Sequence, residues 1–297
     1  MRRAVGCRWP RAVAVLAGLV LRMPAAASAY SLLPLEMQEA QTLPSGVAEA
    51  TIGVSYFKDL RYPPFTPPGA IRSQALVGLP QLGFRIGAGD WAEIQASYEL
   101  LYLDEEAPNG ATNRQYGSGD ARLFTKIWFL NERAVRPAIG IRFGTKLPNA
   151  LRSERLGTDD TDFGGAILLS KTAGPVTAHA NLGLLLLGNS GPTVPDASFT
   201  AGGQDDLFTY NLGVVSEPLG AVREGAVTLK LLGEVAGQAG SRFDNDRSAV
   251  RGGVQLQRGP GTIYIGASVG LITPSEDVGA STGFTYTFDS ATLFASD

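Results

Sequence analysis

One stretch restricts this chain more than any other: Trp91 to Leu103, which reads Trp-Ala-Glu-Ile-Gln-Ala-Ser-Tyr-Glu-Leu-Leu-Tyr-Leu. Ala92, Ile94, Ala96, Tyr98, Leu100 and Tyr102 share one parity, and Glu93, Gln95, Ser97 and Glu99 the other. Successive side chains of a strand point to opposite faces, so this segment has one apolar face and one wet, charged face. Ordinary strands run about 5–6 residues, whereas a tilted membrane-spanning strand needs about 9–11. The run exceeds that length. It fits a wall strand of a transmembrane barrel, with its apolar side to lipid and its polar side to the lumen. The alternative is a large soluble barrel or sandwich, in which strands this long rarely follow one another in series.

The beginning of the chain sets the compartment. Arg2, Arg3, Arg8 and Arg11 precede the apolar run Ala12–Leu21, Pro24 follows, and Ala27-Ser28-Ala29 has the small-x-small form of a signal-peptidase site. Residues 1–29 therefore read as a secretory signal peptide. Its apolar core is too short for a spanning helix, which needs about 20 residues. Cys7, the single cysteine, would leave with the signal, so the mature chain offers no disulfide or thiol chemistry. Cleavage also removes five basic residues and no acidic one, taking the formal charge from −3 to about −8. An acidic exported chain is a poor nucleic-acid binder.

Beyond the signal no hydrophobic run reaches the length of a spanning helix, as an inner-membrane transporter would require. The alternating pattern instead recurs about twelve times. Residues 30–46 read as an irregular periplasmic lead-in, 47–289 as the barrel and 290–297 as a C-terminal tail. Strands are expected at Val47–Phe57, Ser73–Gly87, Trp91–Leu103, Gly119–Leu130, Val135–Leu147, Asp162–Thr172, Val176–Leu187, Asp205–Ser216, Ala226–Ala236, Ser248–Arg258, Thr262–Ile272 and Ser281–Asp289. The second presents Leu76, Leu82, Phe84 and Ile86 outward, with Pro80 in its middle. The connections alternate long and short, and Asp104–Ser118 reads as a long polar loop. That rhythm is the one expected of an all-β, antiparallel, up-and-down transmembrane barrel with short periplasmic turns and long outer loops. Closure is obligatory, because an open sheet edge in lipid leaves backbone groups unpaired. Tyr102, Phe143, Phe163, Phe208, Tyr210 and Phe284 are placed toward the outer strand ends and Trp91 and Phe129 near the turns, as aromatic girdles would be.

Several segments resemble a known family of outer-membrane proteins, the MetA-pathway of phenol degradation family. These are Pro34-Leu35 with Ala40-Gln41-Thr42-Leu43-Pro44-Ser45-Gly46; Gly119-Asp120 ahead of Leu123 and Lys126; and Lys146-Leu147-Pro148 with Leu156-Gly157-Thr158-Asp159-Asp160-Thr161-Asp162. His179-Ala180-Asn181-Leu182-Gly183 is a further similar segment. The resemblance implies an outer-membrane barrel concerned with movement of hydrophobic or aromatic compounds. It supplies no catalytic set.

By parity the lumen receives Arg85, Arg122, Lys126, Arg142, Lys146, Lys230 and Arg251, set against Glu49, Glu93, Glu99 and Glu234. Charges lining a pore set its ion preference, and this set has a cationic excess. The competing role is structural pairing across a lumen narrow enough for side chains to fill. His179, the only histidine, shares the lumen face with Thr177 and Asn181, and no serine stands at a suitable strand position beside it. That favours a hydrogen-bonded structural histidine over a triad. One histidine and no mature cysteine exclude the usual zinc ligand sets, and no cofactor or metal is expected. Asp159, Asp160 and Asp162 lie in an outer loop, where solvation is the simplest role and divalent-cation binding the alternative. These readings point to a monomeric passive channel or transporter for small or hydrophobic organic solutes. Its expected partners are outer-membrane lipid, lipopolysaccharide and the barrel-assembly machinery, with no nucleic acid. A barrel enzyme acting on lipid and a structural or surface-interaction barrel are the alternatives.

Overall fold

A computed structural model describes residues 31–62, 70–188, 206–219, 226–240, 246–273 and 275–293. The signal peptide, the Pro-rich loop at 63–68, residues 189–204 and the tail beyond 293 lie outside the described residues. Thirteen strands follow in order: β1 (Val47–Lys58), β2 (Ser73–Gly87), β3 (Ala92–Glu106), β4 (Thr112–Ser118), β5 (Ala121–Leu130), β6 (Ala138–Leu147) and β7 (Asp162–Ala173). Then come β8 (Val176–Leu186), β9 (Asp206–Ser216), β10 (Thr228–Gly240), β11 (Arg247–Arg258), β12 (Gly261–Gly270) and β13 (Val278–Asp289). All pairings are antiparallel, and β1 pairs with β13 on one side and β2 on the other, closing the sheet. The lower half of β3 pairs with β5 and its upper half with β4, so β4 and β5 form one interrupted wall of a twelve-walled barrel.

Two features depart from the expected strand pattern. Residues 104–118, expected as a loop, form a hairpin in which β3 runs on to Glu106 and returns along β4, with Ala107 N donating to Ala111 O at 2.8 Å. Asn113, Arg114, Gln115 and Tyr116 show no lipid alternation, because this extension stands beyond the apolar belt. The second departure is on β2, where Leu79 and Pro80 bulge out opposite Val54 and the register shifts between Gly78 and Gln81. A bulge flips every side chain beyond it. Leu76, expected to face lipid, is therefore turned inward and buried, whereas Leu82, Phe84 and Ile86 keep their outward parity.

The outer wall is apolar. Leu82, Ile94, Ile167, Leu212, Leu231, Val250, Ile265 and Phe284 all stand exposed on it. A soluble monomer does not carry a belt of this extent. Phe284, Tyr286 and Phe288 pack in file along β13, with centroids 6.4 and 6.2 Å apart. Because β13 begins at Val278, Phe284 stands opposite Ile52 midway along the strand, farther from the outer end than expected. Lys171, on the outward parity, reaches over the rim to Glu132 at 2.9 Å and to Arg133 O at 2.7 Å, keeping its ammonium out of the apolar belt.

The inner wall is polar in its middle and apolar near the loop end. Leu76, Leu101 and Leu103 face inward there and pack with Ala150 and Leu156 of the loop between β6 and β7. That loop is tied down inside the barrel. Asp120 accepts from Asn149 N and Ala150 N, and Arg155 grips Glu105 with both Nε and Nη2 at 3.0 Å.

A charge placed on the lipid side should be costly. Ile265→Arg is expected to lower stability by ~2–4 kcal/mol if Ile265 lies near the bilayer midplane. Urea unfolding of the barrel in lipid vesicles measures this, and an unchanged midpoint would contradict a lipid-facing β12.

Candidate functional site: a lumen filled by the N-terminal segment

Residues 31–46, expected as a periplasmic lead-in, contain no strand or helix and run through the barrel interior. They fill the lumen. Leu35, Met37, Ala40 and Leu43 are buried, Met37 and Leu43 completely. Leu32, Leu35 and Met37 pack on Val215 of β9 and Leu232 of β10, and Ala40 packs on Ala138 of β6 and Leu168 of β7. An irregular segment cannot satisfy its own backbone, so the wall must do so. Gln255 Nε2 donates to Ser31 O (2.7 Å) and Leu33 O (2.6 Å). Glu36 N and Met37 N donate to the two oxygens of Glu234 (2.7 and 2.9 Å). Asn181 accepts from Gln38 N (2.6 Å) and donates to Gln38 O (2.8 Å). Ala40 N donates to Ser170 Oγ (2.8 Å) and Leu43 N to Glu93 Oε2 (2.8 Å). Five strands thus bind one irregular peptide as a continuous track.

Glycines clear that track. A Cβ on Gly253 or Gly266 would collide with the Pro34 ring, one on Gly213 with Met37 Sδ, one on Gly140 with Ala40 O, and one on Gly87 with the carbonyls of Leu43 and Pro44. Five of the inward glycines therefore seat the segment.

The charged residues expected to line an open pore are engaged elsewhere. Arg85 binds Glu93 through Nε (2.9 Å) and Glu49 through Nη1 (3.2 Å). Lys126, fully buried, lies 3.2 Å from Glu93. Arg142 donates to Gln95 Oε1 at 2.7 Å and stacks its guanidinium 3.6 Å from the centre of the Phe124 ring. Arg122 pairs with Glu99 at 3.0 Å, and Lys230 is buried on the inner face of β10. Arg251 meets Glu36 at 2.9 Å, Glu234 at 3.4 Å and Glu276 at 3.8 Å. The cationic excess expected from strand parity is not present. Glu36 and Glu39 enter with the N-terminal segment, and Glu105, Asp120, Asp162 and Glu276 face inward from strand ends and loops.

Asp162, assigned to an outer loop, is the first residue of β7 and faces inward to Lys146 at 2.9 Å; Lys146 also holds Asp120 at 3.1 Å. Asp159 takes a left-handed conformation, and Asp160 lies against Gly188 with its buried Oδ2 unpartnered among the described residues. The three aspartates do not converge on a shared point. The expectation that no serine flanks His179 is also corrected. Ser170 lies directly opposite it across the β7–β8 ladder, with Oγ 2.9 Å from Nδ1. The same hydroxyl accepts from Ala40 N, so the serine–histidine pair lies directly against the plug backbone.

What sequence reading missed had a signal. Leu168, Val215 and Leu232 are apolar residues on the polar parity of their strands, an anomaly that only a second apolar surface inside the barrel explains.

No family model matches the chain, and no curated protein matches it in sequence. Among solved structures it is similar in fold to the COG4313 outer membrane channel from Pseudomonas putida F1. The TM-score is 0.59 at 13% identity over 86% of this chain and all of that one. More distant likenesses are a NanC porin (TM-score 0.46, 9% identity, 80% of this chain and 98% of that one) and LpxR from Salmonella typhimurium (0.40, 11%, 80% and 99%). The likeness to the Pseudomonas putida F1 channel places the chain among outer-membrane β-barrels by fold.

Docking of the N-terminal segment is incompletely satisfied. Glu39 Oε1, Gln41 Oε1 and Thr42 Oγ1 are buried without a hydrogen-bond partner among the described residues. Burial pushes the Glu39 carboxyl up to about 7, against the pull of Lys126 and Arg85, with Glu93 and Glu49 adding repulsion. Between the ordinary value of 4.5 and about 7 the docked state holds a proton that the undocked segment has released. Docking is therefore strongest below that window and weakens as pH rises through it. Protease protection of residues 31–46 should fall between pH 5 and pH 8, by an amount that Glu39→Gln abolishes. A protection profile flat with pH in the unmodified chain would remove Glu39 as the cause.

Proposed function

We propose that this chain is an outer-membrane channel for small organic solutes whose resting lumen is shut by its own residues 31–46. The carrying observation is the fit of the segment to its track. Wall glycines leave room for it, and wall carboxylates and amides bind its backbone, yet three of its polar side-chain atoms are buried with no hydrogen-bond partner among the described residues. Each unpaired group costs ~1–3 kcal/mol, which release into water would recover. A segment held by many bonds and opposed by several unpaired groups is one that can leave. An obligate structural filler would have no reason to retain them.

The resemblance to the MetA-pathway family and the fold shared with the Pseudomonas putida F1 channel both favour transport, and the family extends the reading to hydrophobic or aromatic solutes. Catalysis is disfavoured by the position of the serine–histidine pair found among the described residues. Ser170 is buried beneath the segment and already accepts from its backbone. The signal sequence and lipid-facing belt support export to the outer membrane, where the barrel acts as a monomer.

Planar-bilayer recording of the refolded mature chain tests the reading. The unmodified chain should show rare openings. Deletion of residues 31–44, or Gly266→Val, which displaces Pro34, should produce frequent discrete steps. A deletion variant that remains folded and heat-modifiable yet carries no current would refute the channel.

A further inference from the structure

Between residues 33–36 of the plug and the wall built by β1, β2, β11, β12 and β13 lies a cavity of about 190 Å³. At ~30 Å³ per water it has room for about six waters, comparable to one substituted ring. Its lining is specific. Tyr264 extends across the wall because neither Gly53 nor Gly283 has a side chain; a Cβ on either would strike the tyrosine hydroxyl. Gly279 in the same way admits the ring of Phe57. Phe57, Tyr264 and Pro34 thus give the cavity apolar faces, and Ser55, Ser281 and the Tyr264 hydroxyl give it a polar rim.

The charged and amide groups on the lining are already engaged. Arg251 carries three carboxylates, Gln81 donates to Glu99 at 3.0 Å, and Ser268 donates to Glu276 at 2.7 Å. An anion approaching Arg251 meets Glu36, Glu234 and Glu276 around it, and a cation approaching those carboxylates meets the guanidinium. Hydroxyls that both donate and accept remain for an incoming solute. We propose that this cavity is a solute-binding chamber that takes an uncharged, hydroxyl-bearing ring. The inference rests on the channel reading and deepens it by naming the class of solute.

The test is titration calorimetry of the refolded mature chain in detergent. D-glucose and benzyl alcohol serve as uncharged rings, one saturated and one aromatic, with D-gluconate and benzoate as charged counterparts. Saturable binding of either uncharged ring is expected, about tenfold tighter than its charged counterpart and weakened about tenfold in Tyr264→Phe, the scale of one lost hydrogen bond. Which of the two binds identifies the source. Ser281→Leu should fill the cavity and abolish binding while the barrel keeps its heat-modifiable mobility. The proposal is overturned by no saturable binding of either uncharged ring, by equal or tighter binding of the charged probes, or by binding that survives both substitutions. Failure of the channel reading is separable: a plug-deleted chain silent in bilayers beside Tyr264-dependent binding by the full chain would sink the channel and keep the chamber. Conductance without binding would do the reverse.

Discussion

An irregular peptide inside a barrel has no partner of its own for its backbone, and that constraint organises the lumen. Glu93 and Glu234 meet it most directly. Each is a carboxylate on an inner wall that accepts backbone N–H groups of residues 31–46 while being held by arginine from a neighbouring strand. Bonds to a charged acceptor are worth more than neutral ones, about 1.5–3 kcal/mol each. The arginines in turn set a counter-charge against the carboxylates in a crowded interior. Removing Glu93 would strip Arg85 and Lys126 of their shared counter-ion as well as freeing Leu43, so wall and plug form one network.

The same arrangement accounts for the glycine distribution. Five strands give up an inward side chain where the plug touches them, and glycine in a strand interior carries a conformational cost. Two further glycines, Gly53 and Gly283, lie under Tyr264 and hold its ring flat against the wall, beside the cavity left between plug and β13. Toward the loop side of that cavity the inward-folded loop around Leu156 narrows the passage, and Phe57 borders both. A solute between these two obstructions would be held in a small space lined mainly by hydroxyls and rings.

Much of the barrel could be read directly from the sequence. Length, alternation and rhythm of loops suffice for a twelve-walled transmembrane sheet, because lipid demands apolar residues at every second position and closure of the last strand on the first. Boundaries failed where that demand lapses. The β3–β4 hairpin rises beyond the belt and shows no alternation, and the bulge at Leu79–Pro80 reverses parity with nothing but a proline to announce it. That His179 faces inward was legible, yet its partner Ser170 was not, since register between β7 and β8 decides who stands opposite whom.

What the sequence by itself determined is which residues face lipid and which face inward, a property of each strand taken alone. Whether the inward charges line an open pore or bind something else depends on what occupies the space they enclose, and no strand pattern contains that. Only the tertiary structure brought Glu36, Met37 and Gln38 within bonding distance of Glu234 and Asn181, residues about 140 to 200 positions away along the chain. The reason is physical. Alternation follows from the local solvent on the two sides of a sheet, whereas the plug is held by contacts to at least seven strands that converge only after the barrel has closed.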